Sequence, residues 1–245
     1  MSSLVVARHG RVAVLSLNRP EQGNRLTTSL AAELAGALRA ARDDTTIGAC
    51  VIAGAGDVFC LGGDYRGAGP TDDGRAAYAD ALLDMDDAMA HLGRPLVASV
   101  NGDAHAGGFA VVVACDLAVA ADVATFGLPE AANGLFPFIA LATVRDALPK
   151  KVLFDVIYRA RLMTAAEASS LKLINEVVPP PEVLPRAVAL AEEASVHDPE
   201  VVALGRRLFY DTRGLRRSEA MGAARRALLA ALAAADRPRS TGDSC

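Results

Sequence analysis

Two glycine-bearing turns and one acidic residue are the parts of the sequence whose types and spacing point to chemistry. Residues 59–64 (Phe-Cys-Leu-Gly-Gly-Asp) follow one predicted strand, and residues 101–108 (Asn-Gly-Asp-Ala-His-Ala-Gly-Gly) follow another and open a helix. Glycine lets the backbone approach a ligand closely, and the first amides of a helix are unpaired and partly positive. Two such turns can direct two amides at one oxygen atom as an oxyanion hole, although their spacing alone also fits ordinary tight turns. The acidic residue is Glu130, after Phe126-Gly-Leu-Pro.

Other motifs that carry chemistry are missing from the sequence. After Gly54-Ala-Gly56, the third glycine of a dinucleotide-binding G-x-G-x-x-G would fall on Phe59. The chain contains no P-loop motif and no G-x-S-x-G nucleophile elbow. We expect no metal site, because the histidines and cysteines lack the spacing of metal ligands. These residues are His9, His91, His105, His197, Cys50, Cys60, Cys115 and Cys245.

Apolar periodicity predicts the elements that position these turns. Strands are predicted at residues 5–7, 12–17, 47–53, 95–100, 117–120 and 125–127, with another that ends at residue 178. Helices are predicted at residues 28–43, 75–92, 107–115, 139–148 and 150–159, and after a capping box formed by Thr164 and Glu167. Because strands alternate with helices, we expect an α/β core with parallel strands.

Length and composition exclude several classes of protein. The chain has 245 residues and a formal net charge of −4, with 25 basic and 29 acidic side chains. This balance is unfavourable for binding a polyanion, and the absence of Trp with only 4% aromatic residues argues against base stacking, so no nucleic-acid partner is expected. The longest apolar run, Ala227–Ala235, is far shorter than the roughly 18 residues of a membrane span. We expect a soluble, cytoplasmic protein with reduced thiols and no membrane partner.

The C-terminal quarter differs from the rest of the chain. Three consecutive prolines at 179–181 end the strand pattern, and the residues beyond them are predicted to be helical as far as a loose tail at 238–245. We place the boundary between a core (residues 1–195) and a helical region (residues 196–245) near residue 195. The final helix, predicted at residues 215–235, is dominated by Ala and Leu, so it needs a surface to pack on, such as another subunit.

Taken in order, several segments resemble the crotonase family, the enoyl-CoA hydratases and isomerases. They are Val12-Ala-Val-Leu-Ser-Leu-Asn-Arg-Pro-Glu21, Phe59-Cys-Leu-Gly-Gly-Asp64, Asn101-Gly102, Cys115-Asp116, Phe126-Gly-Leu-Pro-Glu130, Met163-Thr-Ala-Ala-Glu-Ala168 and Leu173-Ile-Asn-Glu-Val-Val178. The resemblance covers about the first 180 residues. It implies an α/β spiral of stacked ββα turns with a helical C-terminal region used in trimerisation. It also implies an acyl-CoA thioester substrate, with coenzyme A as part of the substrate and no separate cofactor, and a homotrimer or a dimer of trimers.

The resemblance also implies roles for individual residues. Gly63 and Gly107 match the two oxyanion-hole amides, and Glu130 matches the second of the two catalytic glutamates of hydratases. The first of those glutamates should stand three residues after Gly107, where this chain has Ala110. The resemblance further places coenzyme A and the acyl chain against a larger set of residues. These are Gln22, Arg25, Leu61, Gly62, Asp64, Tyr65, Gly108 and Phe136.

The loss of one carboxylate favours one reaction over another. Adding water to an enoyl-CoA is easier to arrange with two carboxylates that share the water, whereas a double-bond shift needs one base that takes a proton and returns it. We therefore expect an enoyl-CoA isomerase with Glu130 as the only proton shuttle, in a pocket made apolar by nearby Phe126, Leu128, Phe136 and Phe138.

Two other functions remain open from the sequence. One is a hydratase, decarboxylase or thioester hydrolase in which Asp103, His105 or Tyr65 helps; Asp103 and His105 can equally face solvent or a neighbouring subunit. The other is a non-catalytic subunit that binds acyl-CoA thioesters.

Overall fold

A computed structural model describes residues 2–235, so the tail predicted at residues 238–245 lies outside the described residues. The strands are β1 (Leu4–His9), β2 (Val12–Leu17), β3 (Ala49–Gly54), β4 (Leu96–Val100), β5 (Ala104–His105), β6 (Leu117–Ala121), β7 (Thr125–Gly127), β8 (Met163–Thr164) and β9 (Glu176–Val178). The helices are α1 (Thr28–Asp43), α2 (Asp72–Ala90), α3 (Gly107–Ala114), α4 (Phe138–Val144), α5 (Lys150–Tyr158), α6 (Ala165–Ser170), α7 (Val183–Ala194), α8 (Pro199–Asp211) and α9 (Arg217–Ala235). Three short 3-10 helices lie at Pro20–Gln22, Pro129–Asn133 and Pro180–Glu182.

The larger sheet has the strand order β1-β2-β3-β4-β6-β9. Every pair in it is parallel except β1 with β2, which form an antiparallel hairpin. Strands β3 and β4 are buried almost throughout, because helices cover both faces of a parallel sheet, and this accounts for their continuous apolar sequences. The predicted parallel α/β core is therefore confirmed.

A smaller sheet has the strand order β5-β7-β8. Strands β5 and β7 each follow a strand of the larger sheet and precede a helix. Strand β4 leads to β5 and helix α3, and strand β6 leads to β7 and helix α4. Strand β3 is followed by the same succession of elements. After β3, Cys60 forms a β-bridge to Ala104 of β5, and helix α2 then begins. Each repeat is a ββα unit, and the stacked units bring α2, α3 and α4 together around one cavity.

Element boundaries follow local hydrogen bonds that the apolar pattern does not show. Helix α1 has its predicted limits, whereas α2 begins three residues before the predicted start because the Thr71 hydroxyl accepts a hydrogen bond from the Gly74 amide. The Thr164 hydroxyl caps α6 by accepting from the Glu167 amide, as predicted, but the Glu167 carboxylate pairs with Arg161 instead of completing a capping box. Helix α4 ends at Val144, four residues before the predicted limit.

The helices after the three prolines pack on the rest of the molecule. Helix α7, which belongs to the core, packs on β3, β4 and β6. In the helical C-terminal region, α8 is held by an ion pair in which Arg206 Nε lies 2.9 Å from Asp116 Oδ2. Helix α9 contacts α8 and leaves large apolar side chains exposed. Among the helices described, none combines the length and hydropathy that a membrane-spanning segment requires.

Candidate active site

The two glycine-bearing turns lie side by side because backbone hydrogen bonds join them. The His105 amide donates to the Cys60 carbonyl at 2.9 Å, and the Cys60 amide donates to the Asp103 carbonyl at 3.1 Å. Gly62 has a φ of +96°, and a Cβ built on it would lie 2.5 Å from the Cβ of Ala106. A residue with a side chain at position 62 would therefore separate the two turns.

The amides of Gly63 and Gly107 are close together and unpaired. Leu26 pairs with the residues on either side of Gly63, since its amide donates to the Gly62 carbonyl at 2.9 Å and its carbonyl accepts from the Asp64 amide at 2.8 Å. The Gly63 N–H therefore points away from Leu26. Gly107 is the first residue of α3, and a Cβ built on it would lie 3.6 Å from the Gly63 nitrogen. Neither amide donates a hydrogen bond within residues 2–235, so both can bind one ligand oxygen.

The residue before Gly107 holds a strained backbone conformation. Ala106 has φ 54° and ψ −125°, a region that residues other than glycine seldom occupy. Its amide donates to the Gly127 carbonyl at 2.8 Å, which anchors the turn to strand β7. Strain of this kind persists only where the surrounding structure enforces it, and it commonly marks sites of function.

Glu130 is placed beside these amides by the pairing of β5 with β7. His105 is in register with Gly127, and the chain continues from Gly127 into the 3-10 helix Pro129–Asn133. The Glu130 Oε2 atom is buried and accepts no hydrogen bond from any described residue. Burial raises the pKa of this carboxyl above its ordinary value, as expected of a base that works near neutral pH.

A mainly apolar cavity of about 390 Å³ connects the two amides with Glu130. Its walls come from α2, α3, α4, the two glycine turns and the segment around Glu130. The lining residues are Arg25, Leu26, Leu61, Gly63, Tyr65, Tyr78, Ala79, Leu82, Met85, Asp86, Met89, His105, Ala106, Gly107, Ala110, Val111, Ala114, Pro129, Glu130, Asn133, Leu135, Phe136, Pro137, Phe138, Ile139, Ala140 and Thr143.

The structure brings eight of the sequence-predicted site residues into this cavity. They are Gly63, Gly107, Glu130, Arg25, Leu61, Tyr65, His105 and Phe136. Ala110, at the position of the missing glutamate, also lines the cavity, with a methyl group in place of a carboxylate.

Five other predicted site residues do not line the cavity, and their contacts show why. Gln22 is exposed at the end of the first 3-10 helix, and Gly62 is buried against Ala106. Asp64 lies 3.8 Å from the Arg19 guanidinium and accepts from the Gly67 amide. A Cβ on Gly108 would lie 2.1 Å from the Cys60 carbonyl oxygen, so this glycine allows the helix to pack on the first turn.

The fifth of these residues, Asp103, is tied to Thr125 beneath the second turn. Its Oδ1 atom accepts from the Thr125 hydroxyl at 2.7 Å and from the Thr125 amide at 3.1 Å. The His105 Nε2 atom lies 2.8 Å from the same hydroxyl. Since the hydroxyl donates to a carboxylate, a neutral His105 must donate to it from Nε2. Burial lowers the pKa of His105, which favours this neutral form.

The aromatic cluster expected around Glu130 is only partly formed. Phe126 and Leu128 are fully buried, and Phe126 packs edge-on against Phe109 with a centroid distance of 6.2 Å. The prediction that Phe126 and Leu128 line the pocket is wrong, because both side chains pack in the core and neither is among the lining residues. Phe136 and Phe138 do line the cavity, with their ring centroids 5.7 Å apart.

Sequence reasoning missed two polar residues of α2 that line the cavity. The Tyr78 hydroxyl lies so close to Gly63 that a Cβ on this glycine would be 1.9 Å from it, and burial raises the Tyr78 pKa to about 12. Asp86 is half-buried eight residues further along the helix. The spacing of Tyr78, Leu82 and Asp86, four residues apart, places them on one face of α2, but it does not show what that face packs against.

Comparison with known proteins places this arrangement in a family. The sequence model of the family described as enoyl-CoA hydratase/isomerase matches residues 7–239. Enoyl-CoA hydratase EchA19 of Mycobacterium tuberculosis is 32% identical over 222 residues, 88% of this chain and 83% of that protein. The 2,3-dehydroadipyl-CoA hydratase of Escherichia coli is 33% identical over 208 residues, 81% and 78% of the two chains.

The fold comparison agrees with the sequence comparison. An enoyl-CoA hydratase structure from Mycobacterium smegmatis superposes with a TM-score of 0.89 at 28% identity, covering 95% of this chain and 91% of the other. The spiral of ββα units, the paired glycine turns and the sequence match together make this chain a member of the enoyl-CoA hydratase/isomerase, or crotonase, family.

Proposed function

We propose that this enzyme stabilises the enolate of an acyl-CoA thioester and moves the double bond of an enoyl-CoA. The observation that carries the proposal is the buried, unpartnered Oε2 atom of Glu130, which shares a cavity with two unpaired amides. Ala110, in the same cavity, supplies no second carboxylate at the position used by hydratases.

The proposed reaction needs one proton shuttle and one oxyanion hole. The thioester oxygen accepts hydrogen bonds from the Gly63 and Gly107 amides, and Glu130 removes a proton from the carbon next to the carbonyl of a 3-enoyl thioester. The electron pair delocalises onto the oxygen, where the two amides stabilise the negative charge. Glu130 then returns the proton to the far carbon of the original double bond, so that a 2-enoyl thioester forms and the carboxylate is restored.

Hydration of a 2-enoyl-CoA is the second candidate, and the names of the relatives favour it. Both sequence relatives described above are hydratases by name. In this chain hydration would require Glu130 to act on water alone or with His105, the polar side chain that the second glycine turn contributes to the cavity. The geometry favours isomerisation, because an alanine at position 110 cannot orient a water molecule.

The two reactions are separated by product analysis. Purified protein is incubated with a 3-enoyl-CoA and, separately, with a 2-enoyl-CoA, and the products are resolved by chromatography. We expect conversion of 3-enoyl-CoA to 2-enoyl-CoA and little 3-hydroxyacyl-CoA. Hydration at an ordinary enzymatic rate would refute the isomerase assignment, and His105→Ala would then test whether that side chain assists. Binding without turnover of either substrate would support a non-catalytic thioester-binding subunit.

We also propose that coenzyme A lies at the mouth of the cavity beside Arg25 and Tyr65. Arg25 Nη1 donates to the Leu61 carbonyl at 2.8 Å, which holds the guanidinium next to the first glycine turn, where it can meet a phosphate. Arg25→Ala should raise KM for an acyl-CoA and leave KM for the corresponding acyl-pantetheine unchanged. An equal effect on both substrates would contradict a phosphate contact.

Helix α9 supports a proposal that the enzyme assembles as a trimer or a dimer of trimers. Leu228 is 59% exposed and Leu232 is 53% exposed, although both are large apolar side chains. Exposed apolar faces of this kind commonly pack on another subunit. Sedimentation of the native chain should show three or six copies, and Leu228→Glu with Leu232→Glu should reduce that number. A native monomer would refute the proposal.

A further inference from the structure

Asp86 lies in a part of the cavity that is removed from the oxyanion hole, as the positions of the lining residues along α2 and α3 indicate. On α2, Asp86 follows Tyr78 by eight residues, which is about 12 Å along the helix axis, and Tyr78 contacts Gly63. On α3, Ala114 follows Gly107 by seven residues, which is about 10 Å. All these residues line one cavity, so it extends from the two amides along both helices. An acyl chain whose carbonyl is bound at the amides can therefore reach Asp86 by following α2 along the cavity.

Asp86 is an acidic group on a stretch of α2 that otherwise lines the cavity with apolar side chains. Those side chains include Leu82, Met85 and Met89. The Thr143 hydroxyl of α4 donates to Asp86 Oδ1 at 3.2 Å, and within residues 2–235 the Oδ2 atom accepts no hydrogen bond. Burial raises the pKa of the carboxyl, as expected where few polar groups surround it. Arg213 also influences this carboxyl, but its guanidinium is paired with Asp146 at 3.1 Å.

We propose that Asp86, held by Thr143, binds a hydrogen-bond donor at the far end of the acyl chain, namely a hydroxyl or an ammonium group. The proposal rests on the proposed function only in requiring that an acyl-CoA thioester binds with its carbonyl at Gly63 and Gly107. A chain that ends in a methyl group would cover Oδ2 without offering it a donor, which is unfavourable for a buried polar atom. A chain that ends in a donor would satisfy that atom.

The alternative is that Asp86 serves only to join α2 to α4 through Thr143. Both roles predict some loss of stability on substitution, so stability alone cannot distinguish them. Only the substrate-binding role predicts that the effect of a substitution depends on the end group of the acyl chain.

The experiment measures binding of unreactive, saturated acyl-CoA thioesters by calorimetry. A series of chain lengths is used, each with a terminal methyl, hydroxyl, ammonium or carboxylate group. We expect one chain length at which the hydroxyl or ammonium compound binds about 10- to 100-fold more tightly than the methyl compound, the size expected for a hydrogen bond to a charged group. The carboxylate compound should bind most weakly, because two like charges would meet.

Variants then assign the preference to Asp86. Asp86→Asn should keep the preference for the hydroxyl, because its amide oxygen still accepts, and lose the preference for the ammonium. Asp86→Leu should abolish both preferences and bind the methyl compound at least as well as the native chain. Asp80→Asn, on an exposed position of the same helix, is the matched control and should change nothing. Thermal unfolding verifies that each variant is folded.

The outcomes separate this proposal from the one on which it rests. If no acyl-CoA binds, the proposed function fails. The Asp86 subsite is refuted, and the proposed function stands, if acyl-CoA thioesters bind to the native chain with an affinity that does not depend on the end group at any length. The same conclusion follows if Asp86→Leu weakens the binding of all compounds equally. Thr143→Val offers a second check, because it should weaken the end-group preference while leaving the carboxylate in place.

Discussion

The two sides of the cavity are built from different parts of the chain. One side consists of the glycine turns, which present the backbone amides of Gly63 and Gly107 to the cavity. The other side consists of side chains from α2 and α4, among them Tyr78, Asp86 and Phe136 beside the start of α4. Hydrogen bonds between the turns fix the first side, whereas the second side depends on which residues occupy the helix faces.

This difference separates the reaction from the choice of substrate. The glycine turns cannot accept side chains, because a Cβ at position 62 or 108 would lie within 2.5 Å of neighbouring atoms. In the proposed reaction, their geometry would therefore hold the enolate oxygen in one place whatever acyl group is attached. The helical side can change residue by residue without disturbing the turns, so it can adapt to different acyl chains.

The largest effect should come from Glu130, which bridges the two sides. Glu130→Gln removes the base but keeps the shape of the side chain, so kcat should fall by roughly 10²–10⁴-fold while the affinity for a saturated acyl-CoA stays the same. Steady-state kinetics and calorimetry measure the two quantities. Asp122→Asn, at an exposed acidic position, is the control. A kcat within a few-fold of the native value would show that another group moves the proton.

The backbone side can be tested by adding one methyl group. Gly63 is not among the glycines with positive φ, so alanine suits its backbone, but the new Cβ would lie 1.9 Å from the Tyr78 hydroxyl oxygen. Gly63→Ala should therefore displace the amide and lower kcat/KM by about 10²–10³-fold, the loss typical of one oxyanion-hole donor.

Removing the obstructing hydroxyl should restore part of this activity. The double variant Gly63→Ala with Tyr78→Phe lacks the hydroxyl oxygen that would clash with the new Cβ. The nearest ring atom, Cζ of residue 78, would then lie 3.3 Å from that Cβ. Tyr78→Phe alone serves as the reference. If the double variant is no more active than Gly63→Ala, the loss arises from the backbone itself and not from the contact between the two sides.

The pH dependence reports the environment of the base. Burial raises the pKa of Glu130, and only the ionised carboxylate can accept a proton. The value of kcat/KM should therefore be constant at high pH and fall about tenfold per pH unit below a pKa that lies above that of a free glutamate. A profile with its acid limb at the ordinary value of a solvated glutamate would contradict the apolar setting.

The same burial predicts that Glu130 reduces stability. A carboxyl whose pKa is raised in the folded state favours folding below the unfolded pKa, and that contribution is lost as pH rises through the folded pKa. Glu130→Gln should raise Tm at neutral pH, by about 2–4 °C if the change is near 1 kcal/mol, with no gain at pH 4. Scanning calorimetry at both pH values measures this, and an equal gain at both would point to a change in packing.

The sequence predicts the backbone side of the site better than the helical side. The glycine turns are visible in the sequence, and the family resemblance then identifies Gly63 and Gly107 by position, although hydrogen bonds between distant segments fix where their amides lie. The sequence does not identify Tyr78 and Asp86 as site residues, because they line the cavity only through the packing of α2 beside α3 and α4. Apolar periodicity does not reveal which helices pack together. Phe126 was misplaced for the same reason, since its core partner Phe109 lies on a different element.

The smallest effect should come from Phe136, at the rim where α4 begins. Its ring is half-buried and packs against Phe138, which is 71% exposed. Because both rings are partly in contact with solvent, removing the Phe136 ring takes away little buried apolar area. Phe136→Ala should enlarge the pocket and so favour larger acyl chains. The ratio of kcat/KM between a larger and a smaller acyl chain should change by about tenfold or less. The absolute rate on the best substrate should stay near the native value, because the amides and Glu130 are untouched. A large loss on every substrate would mean that Phe136 excludes water from the reacting atoms, and the helical side would then contribute to the reaction as well as to the choice of substrate.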